Sequence, residues 1–409
     1  MNDRQRPPSR RRILAAGAGA VATTALAAWR PAFADDKLVQ LPFDNGVRRL
    51  AAYPEKRPLI VLTSRPPQLE TPWDVFNDGL ITPNDAFFVR YHNAGLPGPI
   101  DGDAHTIRIA GNAVAKPFSL TVAQLRSQFK PVELVAVNQC SGNSRGFFSP
   151  RVQGGQLANG AMGNARWVGV PLKDILARAE PMNSARQVTF DGLDIALFGG
   201  GDFVKALEMN HAMDGEVMVA YRMNGADIPF LNGFPVKLIV PGHYGTYWVK
   251  HLSEIQVIDR EFDGFWMKTA YRIPDNDCAC VAPGQAPAAT RPIGRLNVRS
   301  FITSVGDGAR VPAGQPLALR GIAFDGGEGI REVAVSTDGG ASWREARLGT
   351  DLGRYSFREF TFGFTPAAGA HDLRVRAWNR KGDSQPMEAL WNPAGYMRNG
   401  VESVKLIAA

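Results

Sequence analysis

Cys140 and Arg145 stand five residues apart in Asn138-Gln139-Cys140-Ser141-Gly142-Asn143-Ser144-Arg145. A thiol must ionise before it can ligate a metal or attack a substrate, and a guanidinium within reach favours the thiolate. A second cationic stretch lies upstream in Phe87-Phe88-Val89-Arg90-Tyr91-His92, where strand alternation puts Phe88, Arg90 and His92 on one face. Guanidinium groups offer planar, permanently charged forks suited to oxyanions. By themselves these residues leave two readings each. Cys140 equally suits a small buried hydrophobe, and the Arg90 stretch equally suits an alternation that faces solvent.

The elements around them set the positions. Apart from Glu133, residues 132–137 are apolar and read as a buried strand that stops at Asn138. Ser141, Gly142 and Asn143 are turn formers, so Cys140 falls at a strand end on a permissive loop, where sites are commonly built. Residues 146–164 form a long stretch dense in glycine and asparagine, of a length that marks functional or disordered loops. Residues 106–111 read as a strand and 118–125 as a short helix. A further helix opens at Pro171, where the missing N–H costs nothing. Strands follow at 188–190, 217–223, 236–240 and 255–258, with a hairpin-type turn at Asn224-Gly225. Residues 35–83, rich in proline and charge, read as a wrapping segment, and 84–282 as a domain of mixed α and β structure. Proline and alanine at 283–292 read as a linker. Beyond it, short alternating strands at 316–324, 332–336, 357–364 and 372–378, with turns such as Asp338-Gly339-Gly340, predict an immunoglobulin-like β-sandwich over 293–409. With nothing catalytic evident in it, its expected role is support or dimerisation.

The 409 residues are 44% hydrophobic and 21% charged, an ordinary globular composition with room for two domains. The net charge of +7 is not accompanied by a basic run interleaved with aromatics outside the N-terminus. That argues against nucleic acid and suits small oxyanions or an acidic partner protein. Ser9-Arg10-Arg11-Arg12-Ile13-Leu14, an apolar alanine-rich run over 15–28, and Ala32-Phe33-Ala34 are the three parts of a twin-arginine export signal. Cleavage is expected after Ala34, giving a periplasmic protein with no membrane span in its mature form. Three cysteines leave at least one thiol unpaired or liganded. Cys278 and Cys280, separated by one residue, read as too close to bridge each other without strain, and no second pair or nearby histidine completes a zinc site. They are expected to be exposed and incidental. No Cys-x-x-Cys-His occurs, so no covalent c-type haem belongs to this chain.

Four separated features, in order, carry a resemblance. They are the Phe87 to His92 stretch, the Cys140 to Arg145 stretch, Asn164-Ala165-Arg166-Trp167-Val168-Gly169-Val170-Pro171-Leu172, and Ser336-Thr337-Asp338-Gly339-Gly340-Ala341-Ser342-Trp343. With them the chain resembles the sulfite oxidase family of molybdopterin enzymes, and within it bacterial periplasmic sulfite dehydrogenases without a haem domain. The resemblance implies an α+β chain: a mixed α/β molybdopterin-binding catalytic domain over 84–282 and an immunoglobulin-like dimerisation domain over 293–409.

It further implies that Cys140 ligates molybdenum and that Arg90 and Arg145 hold the oxyanion beside the cofactor. His92 then sits at the cofactor and Tyr271, in Trp266-Met267-Lys268-Thr269-Ala270-Tyr271, near an oxo group. Asp194 and Lys250 match pterin-binding residues, and Lys237 replaces a family arginine. Asn232 and Trp248 fall where other members carry pterin-contacting groups of different chemistry. Two departures imply a less cationic pocket. A pocket tryptophan of many members is replaced by Gly154-Gly155-Gln156-Leu157-Ala158-Asn159, and a C-terminal arginine of animal enzymes is missing from Gly400-Val401-Glu402-Ser403-Val404-Lys405.

The implied activity is oxidation of sulfite to sulfate by oxygen-atom transfer. Electrons would pass to a separate c-type cytochrome, and the chain would form a homodimer. The alternatives are a sulfane dehydrogenase subunit of thiosulfate oxidation, a sulfoxide reductase, or a non-catalytic exported scaffold that binds no metal.

Overall fold

The computed structural model describes residues 32–197 and 201–409. The expected export signal, 1–34, falls almost wholly outside them. No helix among the described residues is long and apolar enough to cross a membrane.

The expected wrapping segment is a sheet. Ala32–Gln40, Val47–Ala52, Leu59–Ser64, Pro67–Glu70 and Val89–Arg90 pair in that order, each antiparallel to the last. Prolines and charges between these short strands mask the alternation, because proline inside a sheet is confined to edges and strand starts. Ala51, Leu59, Leu69 and Val89 pack with Tyr91, Phe230 and Leu231 into a small core. This sheet therefore delivers Arg90 to the molecule's interior as the end of its last strand.

Two more sheets build the centre. Val132–Gln139 pairs along its whole length with Met162–Pro171, from Val132 opposite Gly169 to Gln139 opposite Met162. Met218–Met223 flanks that pair, Lys237–Ile239 lies beyond it, and Asn224-Gly225 closes the hairpin to Ala226–Asp227 with φ of 53° and 81°. The other sheet runs Lys205–Glu208, Gln187–Asp191, Glu254–Ile258, Thr106–Ala110, Phe118–Thr121. The expected helix at 118–125 is split. Its first half extends this sheet, and the helix Val122–Gln128 begins only where Thr121 and Gln124 form a reciprocal capping box. Leu172–Ala179 is helical as expected, burying Leu172, Ile175, Leu176 and Ala179 at one-face spacing.

The C-terminal β-sandwich is present, with sheets of four and five strands. Leu319, Val333, Phe360, Leu373, Val375 and Leu406 fill the space between them. The outer face of the four-stranded sheet is not free. Phe301, Ile322 and Phe324 join the main core together with Phe357, and edge-to-face contacts link Trp73 to Phe301 and Phe76 to Phe357 at 5.3 and 6.1 Å. The expected linker is partly structural too, since Thr290–Pro292 pairs with Arg272–Pro274.

Cys278 and Cys280 correct the sequence expectation: they form a disulfide. Ala279 between them adopts φ of 50°, which folds the chain back and sets the two Cα atoms 5.1 Å apart, within ordinary bridging range. Cys140 is the free cysteine, and it is buried.

Candidate active site

Cys140 follows the strand Val132–Gln139 directly, and its N–H donates to Ala161 O at 2.9 Å. The loop then turns through Ser144, at φ of 70°. The irregular stretch after it is tied back onto this turn. Ser144 N–H donates to Ala158 O at 2.6 Å, and Asn143 accepts from Ala161 N–H while donating to Asn159 O. Behind this stretch the fully buried Glu70 carboxylate accepts from Ala158 and Gly160 N–H at 3.1 and 3.2 Å, and burial raises its pKa to about 7. The long segment is thus ordered by backbone hydrogen bonds together with the burial of Phe148, Val152, Leu157 and Met162, which its composition conceals.

One cavity gathers Cys140 with Arg90, His92, Asp194, Asn232, Lys237, Trp248 and Lys250. It is conspicuously cationic. Lys250 donates to Arg90 O at 2.5 Å, and its pKa is lowered to about 8 by burial against the opposing pull of Asp194. Lys237 is 3% exposed, and its ammonium rests 5.3 and 5.7 Å from the Trp167 and Trp248 rings. Burial, with Lys250 and Lys56 adding repulsion, holds its pKa far below the usual lysine range. Asn232 donates to Phe88 O at 2.9 Å and accepts from buried Lys56, so its amide is already engaged in the cavity wall. Burial raises the Asp194 carboxyl, with Lys250 acting against it.

Arg145 and Tyr271 stand just behind this lining. The Arg145 guanidinium lies 5.0 Å from the Tyr396 ring, and its Nε donates to Ala394 O at 3.1 Å. Tyr396 stacks on Tyr271, whose hydroxyl meets His92 Nε2, and His92 stacks on Phe203 at 3.8 Å. Burial first, then Arg90, Lys250 and Lys205, keep His92 far below the usual histidine range, so it is neutral at neutral pH. Gly154, at φ of 103°, gives Arg145 its room: a Cβ there would lie 2.9 Å from Nη1.

Three residues of this arrangement escaped the sequence. Tyr396 comes from the tail of the sandwich, and its only local mark is a place beside Gly395 in a turn. Phe203 and Lys205 follow a glycine-rich stretch with no periodicity. A larger cleft, about 1020 Å³, opens elsewhere behind Tyr247 and Met267 and contains none of the expected site residues.

Residues 93–266 match the oxidoreductase molybdopterin-binding domain, and residues 290–408 match the Mo-co oxidoreductase dimerisation domain. Chicken (Gallus gallus) sulfite oxidase is 35% identical over 288 residues, which cover 68% of this chain and 61% of that protein. The chain belongs to the sulfite oxidase family of molybdopterin enzymes. The human (Homo sapiens) mitochondrial sulfite oxidase is 34% identical, over 67% of this chain and 50% of its own length. The chain thus spans between half and three-fifths of these relatives. A barley (Hordeum vulgare) nitrate reductase is 31% identical over 81% of the chain. Among solved structures, the sulfane dehydrogenase SoxCD of Paracoccus pantotrophus superposes with a TM-score of 0.72 at 25% identity, covering 83% of this chain and 84% of that one.

The family's cofactor is molybdenum held by molybdopterin, and the cavity fits it. Asn138, which lines the cavity, keeps its Oδ1 buried without a protein partner, as a polar group awaiting a hydrogen-bonding ligand would. Gly245 leaves the floor bare, since a Cβ there would lie 2.4 Å from Asn138 Oδ1. The buried ammonium of Lys237 and the Lys250 cation suit a phosphate, and the Cys140 sulfur is a soft donor suited to a redox-active metal.

Proposed function

We propose that this chain is an exported, periplasmic, molybdenum-dependent sulfite dehydrogenase. In this reading sulfite and water yield sulfate, two protons and two electrons, and the electrons leave one at a time to a separate c-type cytochrome. The bound cofactor supplies oxygen-atom transfer and a two-electron sink. The observation that carries the reading is the set of basic side chains, Arg90, Lys237 and Lys250, that line one cavity with the buried free cysteine. Arg90 draws the oxyanion toward Cys140, and Arg145 acts through Tyr396 and Tyr271 at the rear wall. His92, held neutral, is able to accept a proton or a hydrogen bond at the Tyr271 hydroxyl. Asp194, Asn232, Lys237, Trp248 and Lys250 hold the pterin side. The β-sandwich over 293–409 pairs two copies.

A second reading, a sulfane dehydrogenase-type subunit, is favoured by one observation. Arg145 is drawn toward Tyr396 and the carbonyl of Ala394 rather than onto the cavity lining, which leaves a less cationic pocket. The test is molybdenum content of the purified protein together with cytochrome c reduction. Sulfite-dependent turnover supports the first reading. Full molybdenum with turnover only on a carrier-bound sulfane sulfur supports the second. A correctly matured preparation without molybdenum defeats both.

A further inference from the structure

Lys205 opens the edge strand Lys205–Glu208 and is 1% exposed. Its ammonium donates to Trp266 O at 2.6 Å. Otherwise it rests on aromatic faces, 4.8 Å from the Tyr247 ring and 5.2 Å from the Tyr271 ring. Tyr271 is the ring whose hydroxyl meets His92, and His92 stacks on Phe203, two residues before Lys205. A buried cation held by one carbonyl and two ring faces is costly to a fold. Burial is the cause of its lowered pKa, about 7, with no carboxylate contributing.

We propose that Lys205 is a positioning residue for the oxidation: its cation seats Tyr271 against His92 and adds positive potential to the oxyanion pocket. This rests on the oxyanion-oxidising reading of the site. Ring faces attract cations through their quadrupoles, so the ammonium holds both tyrosines at once. Its charge also bears on His92, together with those of Arg90 and Lys250. On the other side, Tyr247 feels Arg272. Around Lys205 the titratable neighbours are thus Tyr247, with His243 beside it, Tyr271 and His92; beyond them stand the cations Arg90, Arg145, Lys250 and Arg272, opposed by Cys140 and Tyr396 at Tyr271 and by Asp194 at Lys250. As pH rises through neutrality Lys205 loses its proton, and the pull on a dianion weakens. Lys250, with its pKa lowered to about 8, loses charge over an overlapping range, so the Lys205 contribution is read by difference.

Sulfate is the probe, because it keeps its double charge over this range whereas sulfite does not. Its affinity for the molybdenum-loaded protein is measured by calorimetry at about pH 6 and about pH 8.5, for wild type and Lys205→Met. The wild type is expected to lose on the order of tenfold in affinity across the interval, and Lys205→Met only about threefold, starting weaker at the acid end. Equal pH dependence in the two proteins overturns the proposal.

Thermal midpoints give a second reading that needs neither turnover nor sulfate. The folded pKa of Lys205 lies below its ordinary 10.5, so the protonated form is penalised in the fold. The variant's advantage over wild type should therefore grow as pH falls from about 10 to about 7, and stay constant below that. Parallel curves would refute an uncompensated buried cation. Lys205→Gln, which keeps a donor for Trp266 O, gives the same two readings if methionine does not pack. A wild type that neither oxidises sulfite nor binds sulfate removes the functional reading itself, and the proposal with it. Normal turnover and binding with an inert Lys205→Met removes only the proposal.

Discussion

Tyr271 and Tyr396 stack with ring centroids 5.2 Å apart and planes 17° from parallel, one standing just before the strand Arg272–Pro274 and the other just before the last strand of the sandwich, Glu402–Ala408. The pair carries Arg145 on the Tyr396 side and His92 on the Tyr271 side. An aromatic pair of this kind is worth about 1 kcal/mol beyond its burial. Tyr396→Ala should therefore lower kcat/KM for sulfite by on the order of tenfold, whereas Tyr396→Phe, which keeps the stack, should stay within about threefold. Steady-state cytochrome c reduction decides, and equal losses in the two variants would assign the effect to the hydroxyl.

Cys140→Ser replaces the soft donor with a hard one of similar size and leaves the bond from residue 140 N–H to Ala161 O available. Near-UV circular dichroism should be unchanged while turnover falls by more than about a hundredfold, the upper cost of losing even an outer-sphere partner of a metal. Substantial residual turnover would sink the proposed role of this cysteine.

Removing the cofactor should destabilise the protein in a pH-dependent way. Burial lowers Lys250 from its ordinary 10.5 to about 8, so its protonated form is penalised in the fold. That penalty is absent above the unfolded pKa, grows as pH falls through the window from 10.5 to about 8, and is constant below it. An anionic pterin phosphate offsets the penalty. The thermal midpoint gap between loaded and cofactor-free protein should therefore be wider at about pH 7.5 than at about pH 10. A gap that does not change with pH would contradict this account of the cationic cavity.

Arg299 is fully buried, donating to Ser144 Oγ at 3.0 Å and to Glu402 at 2.8 Å over the face of Phe301. Arg299→Met breaks a buried charge pair and frees the turn after Cys140. A loss on the order of 3 kcal/mol is expected, read as a lower urea midpoint together with reduced molybdenum occupancy. Full occupancy at an unchanged midpoint would show that the sandwich does not brace this turn.

What the sequence made legible was local. Cys140 at a strand end, Arg90 and His92 two apart, and the short regular strands of the sandwich all follow from alternation and turn residues a few positions away. What escaped it depends on distant packing or on single backbone angles. The first sheet hides behind prolines, and the Cys278–Cys280 bridge depends on the left-handed turn at Ala279. Phe118 and Ser119 pair with Ile109 and Arg108 instead of joining the helix that their neighbours form. Tyr396 could be placed only by the fold, because nothing near it in the chain signals a cavity formed around Cys140.

The Cys140 strand ends a sheet whose open edge is covered by the other domain: Val137 N–H donates to Tyr355 O at 2.9 Å, and Asn164 donates to Ser356 Oγ at 2.9 Å. Further along, Met397 N–H donates to Ser141 O beside the cysteine itself. In chain order Arg90, Cys140, Arg145, Lys237 and Lys250 all precede these closing segments. Residues 355–397 supply what covers the sheet edge and the turn at Cys140. The walls around Cys140 are thus drawn from widely separated parts of the chain, and a molecule lacking residues 355–397 would leave this sheet edge and the cysteine turn uncovered.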